Sequence, residues 1–141
     1  MHRAEHFAIY ELVPPDIHAK YGDFAHHFLD ERALRVIDAI RKRYGPMTIN
    51  NYIWGGDRSE SGLRTPDCKH YSPTSQHTFG RAFDLIPSRV TAQEIRDDLI
   101  DYSMGVLKLP HSINSITIED NVSWLHVDIR NNNPGLNIFQ P

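Results

Sequence analysis

From Trp124 to Arg130 the side chains alternate without a break: Trp124, His126, Asp128 and Arg130 form one set, Leu125, Val127 and Ile129 the other. A period of two belongs to a β-strand, because successive Cβ atoms point to opposite faces of a sheet. One face is apolar and the other ionisable, which suits a cleft above a sheet packed on its far side. Residues 80–86 repeat the pattern, with Ala82, Asp84 and Ile86 facing one way and Arg81, Phe83 and Leu85 the other.

The remaining segments supply partners for these strands. Asn114–Glu119 reads as a strand joined to Trp124–Arg130 by the loop Asp120-Asn121-Val122-Ser123, a hairpin in which residue 119 faces 124 and 117 faces 126. Met47–Trp54 is rich in β-formers and predicts a strand into the core. Asp30 caps a helix from Glu31 that stops at Gly45-Pro46. Leu34, Ile37 and Ile40 form its buried face, and Glu31, Arg35, Asp38, Arg41 and Lys42 its wet one. Thr91-Ala92-Gln93-Glu94 is a capping box that opens a second helix to about Leu107, striped by Ile95, Leu99, Tyr102 and Val106.

Pro14-Pro15 excludes one long helix from residues 1–29, and the tail NNNPGLNIFQP carries turn residues with little periodicity. The whole, residues 1–141, is expected to be one α+β domain, a small antiparallel sheet with helices packed on one side.

Fifteen basic against eighteen acidic residues leave a net charge of −3, so no global field draws in nucleic acid or an anionic membrane. One cysteine, Cys68, excludes an internal disulfide and a cysteine-rich zinc cluster. The first residues hold no apolar run long enough for a signal peptide, and no later segment is long enough to insert in a bilayer. Synthesis in the cytoplasm as a soluble chain is the expectation, with a monomer as its state.

Chemistry concentrates from the end of the 25-residue polar stretch 55–79 onward, a length at which loops usually carry function. His77, Asp84 and His126 are a ligand set for a metal with one position left for water. The expected hairpin places Glu119 on the His126 face, diagonal to it at roughly 7–8 Å. That makes Glu119 the candidate general base and Asp120, pointing the other way, the fallback. The residues alone leave other accounts open: a buried histidine is more often hydrogen-bonded core than ligand. Asp84 would serve equally as an ionic partner of Arg81 or another base, and an acid at a strand end often only flanks a turn.

The string SQHTFGRAFD, residues 75–84, resembles the Ser-x-His-x-x-Gly-x-Ala-x-Asp motif of the zinc D-alanyl-D-alanine carboxypeptidase and hedgehog-type metallopeptidases. SGLRTP at 61–66 is similar to their Gly-x-Arg segment and WLHVD at 124–128 to their final histidine strand, so the resemblance spans about residues 47–130. It implies a hedgehog/DD-peptidase-like fold and one zinc ion per chain on His77, Asp84 and His126. Arg64 would bind or polarise the substrate carbonyl. Ser75 and Asp128 would support the ligands, Asp128 by a hydrogen bond to a ligand histidine. Tyr71 and His70, between Arg64 and His77, would line the cleft.

One position departs from the pattern. Many relatives place the catalytic acid three residues before the last histidine, where this chain has Ser123; others place it six or seven before, where Asp120 and Glu119 stand. The activity implied is hydrolysis of an amide bond in bacterial peptidoglycan stem peptides, by a D-Ala-D-Ala carboxypeptidase or an L-Ala-D-Glu-type endopeptidase. Glu119 would move the proton and Arg64 would steady the developing negative charge. A chain of this kind is similar to phage endolysins, which reach the cell wall through a holin pore or in a virion. The alternative implied by the same resemblance is an inactive zinc-containing binding module or virion structural component.

Overall fold

The computed structural model describes residues 2–140, an α+β fold of three α-helices and a five-stranded sheet. The helices are α1 (Pro15–Tyr21), α2 (Glu31–Tyr44) and α3 (Ala92–Tyr102). The strands are β1 (Met47–Thr48), β2 (Ala82–Pro87), β3 (Ser115–Glu119), β4 (Leu125–Asp128) and β5 (Gly135–Phe139), in the order β1-β2-β4-β3-β5. Among the described residues no helix is long and apolar enough to cross a membrane.

Both expected caps form. The Asp30 carboxylate accepts from the Arg32 amide at the start of α2, and Thr91 and Glu94 exchange side-chain and backbone bonds at the start of α3. Leu34, Ile37 and Ile40 of α2 and Ile95 and Leu99 of α3 pack into one core with Phe83, Leu85, Ile116, Ile118, Leu125 and Val127 of the sheet. α2 lies against β2 and α3 against β4, so the apolar sheet face is covered and the ionisable face stays open.

The structure corrects the expected elements in six places. The sheet is mixed rather than antiparallel, because the tail forms β5, parallel to β3 from Ser115↔Gly135 to Glu119↔Phe139. The chain leaves β4, rounds the start of β3 and enters β5 through Gly135, whose N–H donates to the Asn114 carbonyl.

The strand expected over 47–54 ends after Thr48, and Tyr52–Trp54 is a 3-10 turn with Trp54 65% exposed. Asparagine side chains replace the ladder there: buried Asn50 donates to the Val13 carbonyl and accepts from the Ser61 amide, and Asn51 accepts from the Arg58 amide. α3 stops at Tyr102, which is exposed, because Ser103 leaves the helical conformation at φ 59°. Asp38, expected to be wet, is buried, accepting from His2 Nε2 and the amides of Glu5 and His6.

The fifth correction is the β3–β4 register, Thr117↔Asp128 and Ile118↔Val127, two residues from the expected pairing. Buried Arg96 of α3 causes it by donating to the carbonyls of Val122 and Trp124, which are thereby withdrawn from the ladder. A shift of two keeps side-chain parity, so Glu119 stays on the face of His126 and moves from diagonal to opposite it.

Gly80 is not the first strand residue but the left-handed end of the 3-10 turn Gln76–Phe79, at φ 67°. A Cβ there would stand 2.2 Å from the Phe28 carbonyl oxygen. Gly80→Ala is expected to cost about 2–5 kcal/mol, from the left-handed backbone and the backbone clash together. Chemical denaturation of the two proteins measures it.

Candidate metal centre

Pairing across the sheet assembles the site in one row. Asp84 of β2 opposes His126 of β4, and the β3–β4 register continued by one step brings Glu119 to the other side of His126. Glu119 in turn pairs with Phe139 of β5. His77 comes from outside the sheet, on the turn Gln76–Phe79, where the Ser75 hydroxyl caps the helical turn by accepting the His77 amide.

His77, Asp84 and His126 are all buried, with candidate ligand atoms within 4.8 Å of one another, and this group could hold a metal ion. His126 Nδ1 lies 2.9 Å from Asp84 Oδ1, and His77 Nε2 lies 3.4 Å from Asp84 Oδ2. Each imidazole is oriented by its other nitrogen. His77 Nδ1 sits 2.8 Å from the Gly62 carbonyl, which accepts an N–H and leaves Nε2 as the free donor atom. His126 Nε2 sits 2.8 Å from the Asp128 carboxylate, leaving Nδ1 towards Asp84. Two tautomer-defined imidazoles and a carboxylate fit a small divalent cation of the zinc type, with room for a further ligand.

The support behind the ligands is itself buried. Asp128 is 1% exposed, and Arg130 grips it from Nε at 2.9 Å and from Nη2 at 2.5 Å. The segment 61–64 is tied beneath the site from both sides: the Asp84 amide donates to the Ser61 carbonyl and the Arg64 amide to the His77 carbonyl. Gly62 passes so close to the Leu12 carbonyl that a Cβ would lie 2.2 Å from its oxygen.

These contacts set the charge of the metal-free site. Burial disfavours the charged forms, yet the hydrogen bonds to Asp128 and Asp84 and their charges lift His126 to about 9. Burial pushes Asp84 up, and bonds from His126 and His77 more than reverse this, holding it well below the usual carboxylate range. Asp128 is likewise held low, against burial, by Arg130 and His126. Without metal, a proton on His126 therefore supplies positive charge between the carboxylates.

Glu119 and Arg64 flank the group. Glu119 Oε2 lies 3.8 Å from His126 Nδ1, and Arg64 donates from Nη2 to Asp84 Oδ2 at 3.3 Å and from Nε to the Glu60 carbonyl at 2.7 Å. The trio, Glu119, Arg64 and Ser75 all line one cleft of about 340 Å³.

Three candidates lie elsewhere, and His70 lines an adjoining trough with Arg58, Glu60 and Lys69. Tyr71 lines a neighbouring groove with Tyr21, Phe28 and Phe79, which meets the cleft only at Arg64. Asp120 is turned away, its carboxylate accepting from the Asn121 amide and the Gln140 side chain. Ser123 is exposed in the β3–β4 loop. The same cleft is also lined by Trp124, Arg130 and Phe139, which were not singled out from the sequence. Trp124 and Arg130 share parity with His126, a signal present in the strand pattern; Phe139 joins only through the parallel pairing of β5.

Compared with family models, curated proteins and solved structures, the chain matches none.

Asp128→Asn removes the charge that orients His126, and metal affinity is expected to fall about 10–100-fold while the fold persists, read by competition with a chromophoric chelator. The raised His126 pKa fixes a sign as well. In the metal-free chain its stabilisation is complete below the unfolded value of 6.5 and is lost as pH rises through about 9. Thermal denaturation after chelation, at a series of pH values, should show that decline, and metal loading near neutral pH should release about one proton, seen by calorimetry in two buffers.

Proposed function

We propose that this chain is a zinc-dependent peptidase that hydrolyses an amide bond in the stem peptides of bacterial peptidoglycan. The observation that carries the reaction class is the carboxylate of Glu119, 3.8 Å from His126 Nδ1 and in one open cleft with Arg64 and the candidate ligands. A structural metal site needs neither a carboxylate beside it nor a cleft over it. The substrate class rests on the three motifs at 61–66, 75–84 and 124–128.

His77, Asp84 and His126 would hold the metal, which would supply Lewis-acid chemistry and lower the pKa of water towards about 7. Glu119 accepts a proton from the attacking water and delivers it to the leaving amine. The Arg64 guanidinium donates to the carbonyl oxygen as negative charge grows there, its position set by the Glu60 carbonyl. Asp128 and Arg130 keep the His126 ring from rotating while the proton moves.

Purified protein is expected to carry about one zinc per chain and to release new amines from purified peptidoglycan until chelated. Glu119→Gln should retain its zinc and lower kcat by about 10²–10⁴-fold. Zinc with no release on several wall chemotypes would leave a zinc-containing binding module instead, and absence of zinc would overturn the ligand assignment.

A further inference from the structure

The support behind His126 does not end at Arg130. The Arg130 guanidinium lies over the ring of Phe139, 4.8 Å from its centroid. An aromatic face attracts a cation out to about 6 Å. Phe139 comes from β5, and its backbone is fixed against β3 and the residue that follows it. It pairs with Glu119, and its carbonyl accepts the Asp120 amide at 2.9 Å. The ring therefore has a set place at the edge of the cleft.

Arg130 needs a restraint of this kind. The Asp128 side chain is fully buried, but that of Arg130 is 29% exposed. A second carboxylate competes for it: Arg130 lies within electrostatic reach of Glu119, and the two line the same cleft with Phe139. An arginine that moved across to Glu119 would leave His126 as the one side-chain partner of Asp128 among the described residues. It would also occupy the carboxylate that is to carry a proton. A guanidinium can meet a ring and a carboxylate together, because the ring takes its face while the N–H bonds stay in its plane. Contact with Phe139 thus favours the arrangement in which Arg130 remains on Asp128.

We propose that Phe139 is a positioning residue of the metal centre: its ring clamps Arg130 onto Asp128, and through Asp128 the strand β5 sets the imidazole of His126. The line runs from Phe139 to Arg130, from Arg130 to Asp128 at 2.9 and 2.5 Å, and from Asp128 to His126 Nε2 at 2.8 Å. Its last step rests on the ligand assignment of His126 made above, whereas the clamp itself needs no metal.

The test separates the aromatic face from apolar bulk. Phe139→Leu keeps an apolar side chain and loses the face; Phe139→Tyr keeps both. Zinc affinity, read by competition with a chromophoric chelator, should fall about 2–5-fold in Phe139→Leu and stay within about twofold of wild type in Phe139→Tyr. Arg130→Met should weaken zinc about tenfold. Adding Phe139→Leu to Arg130→Met should then change nothing further, since the ring has lost its partner. The metal-free protein gives a second reading by NMR. The Arg130 Nε–H signal should be resolved and slow to exchange with water in wild type and Phe139→Tyr, and broadened or lost in Phe139→Leu. An equal loss of affinity from Phe139→Leu with and without Arg130 would mark simple packing and overturn the clamp. So would a leucine variant with wild-type affinity and an undisturbed NMR signal. A wild type that takes no zinc would overturn the ligand assignment, and the clamp would then stand or fall on the NMR signal.

Discussion

The His126 imidazole lies between two buried carboxylates, Asp84 at 2.9 Å and Asp128 at 2.8 Å, and the rest of the site is arranged around that contact. Burying these charges costs several kcal/mol each unless every one is paired. The network closes the account through Arg130 on Asp128 and through Arg64 and His77 on Asp84. Each carboxylate has at least two partners from different elements, so the cluster holds the β2–β4 pairing and the loop 61–64 in one arrangement. A cation held by Asp84 and the two imidazoles would supply counter-charge, a part that the raised basicity of His126 gives to a proton in the metal-free site.

Rigidity comes from the opposite face. Phe83 and Leu85 alternate with Asp84, and Leu125 and Val127 with His126, and all four are fully or almost fully buried against the helices. A strand anchored by core side chains on one face cannot shift its ligands on the other without unpacking the core. The loop residues gain comparable precision from backbone bonds: Ser75 caps the turn that carries His77, and the Gly62 carbonyl fixes the ring. The candidate ligands, from two strands and one capped turn, thus sit in a cleft that remains open.

Much of this was legible because period-two alternation is a local property. The strand cores around 82–86 and 125–128, the face assignments of Asp84, His126 and Glu119, and both helix caps follow from neighbours in sequence. Errors fell where a distant group overrode the local pattern. Arg96 took the Val122 and Trp124 carbonyls and lengthened the hairpin loop, Asn50 and Asn51 replaced a strand with side-chain bonds, and the N-terminal amides drew Asp38 inside. The tail lacked any signal strong enough to mark β5, since a parallel strand gains its partner by a crossover and not by a turn.

By itself, then, the sequence determined which residues share a sheet face and which chemistry that face carries, because side-chain direction along a strand depends only on odd or even position. Tertiary structure decided the distances: that Glu119 stands opposite His126, that His77 meets Asp84, that Asp120 and Tyr71 lie elsewhere, and that Phe139 walls the cleft. Those depend on register and loop closure, which are set by hydrogen bonds between residues far apart in the chain.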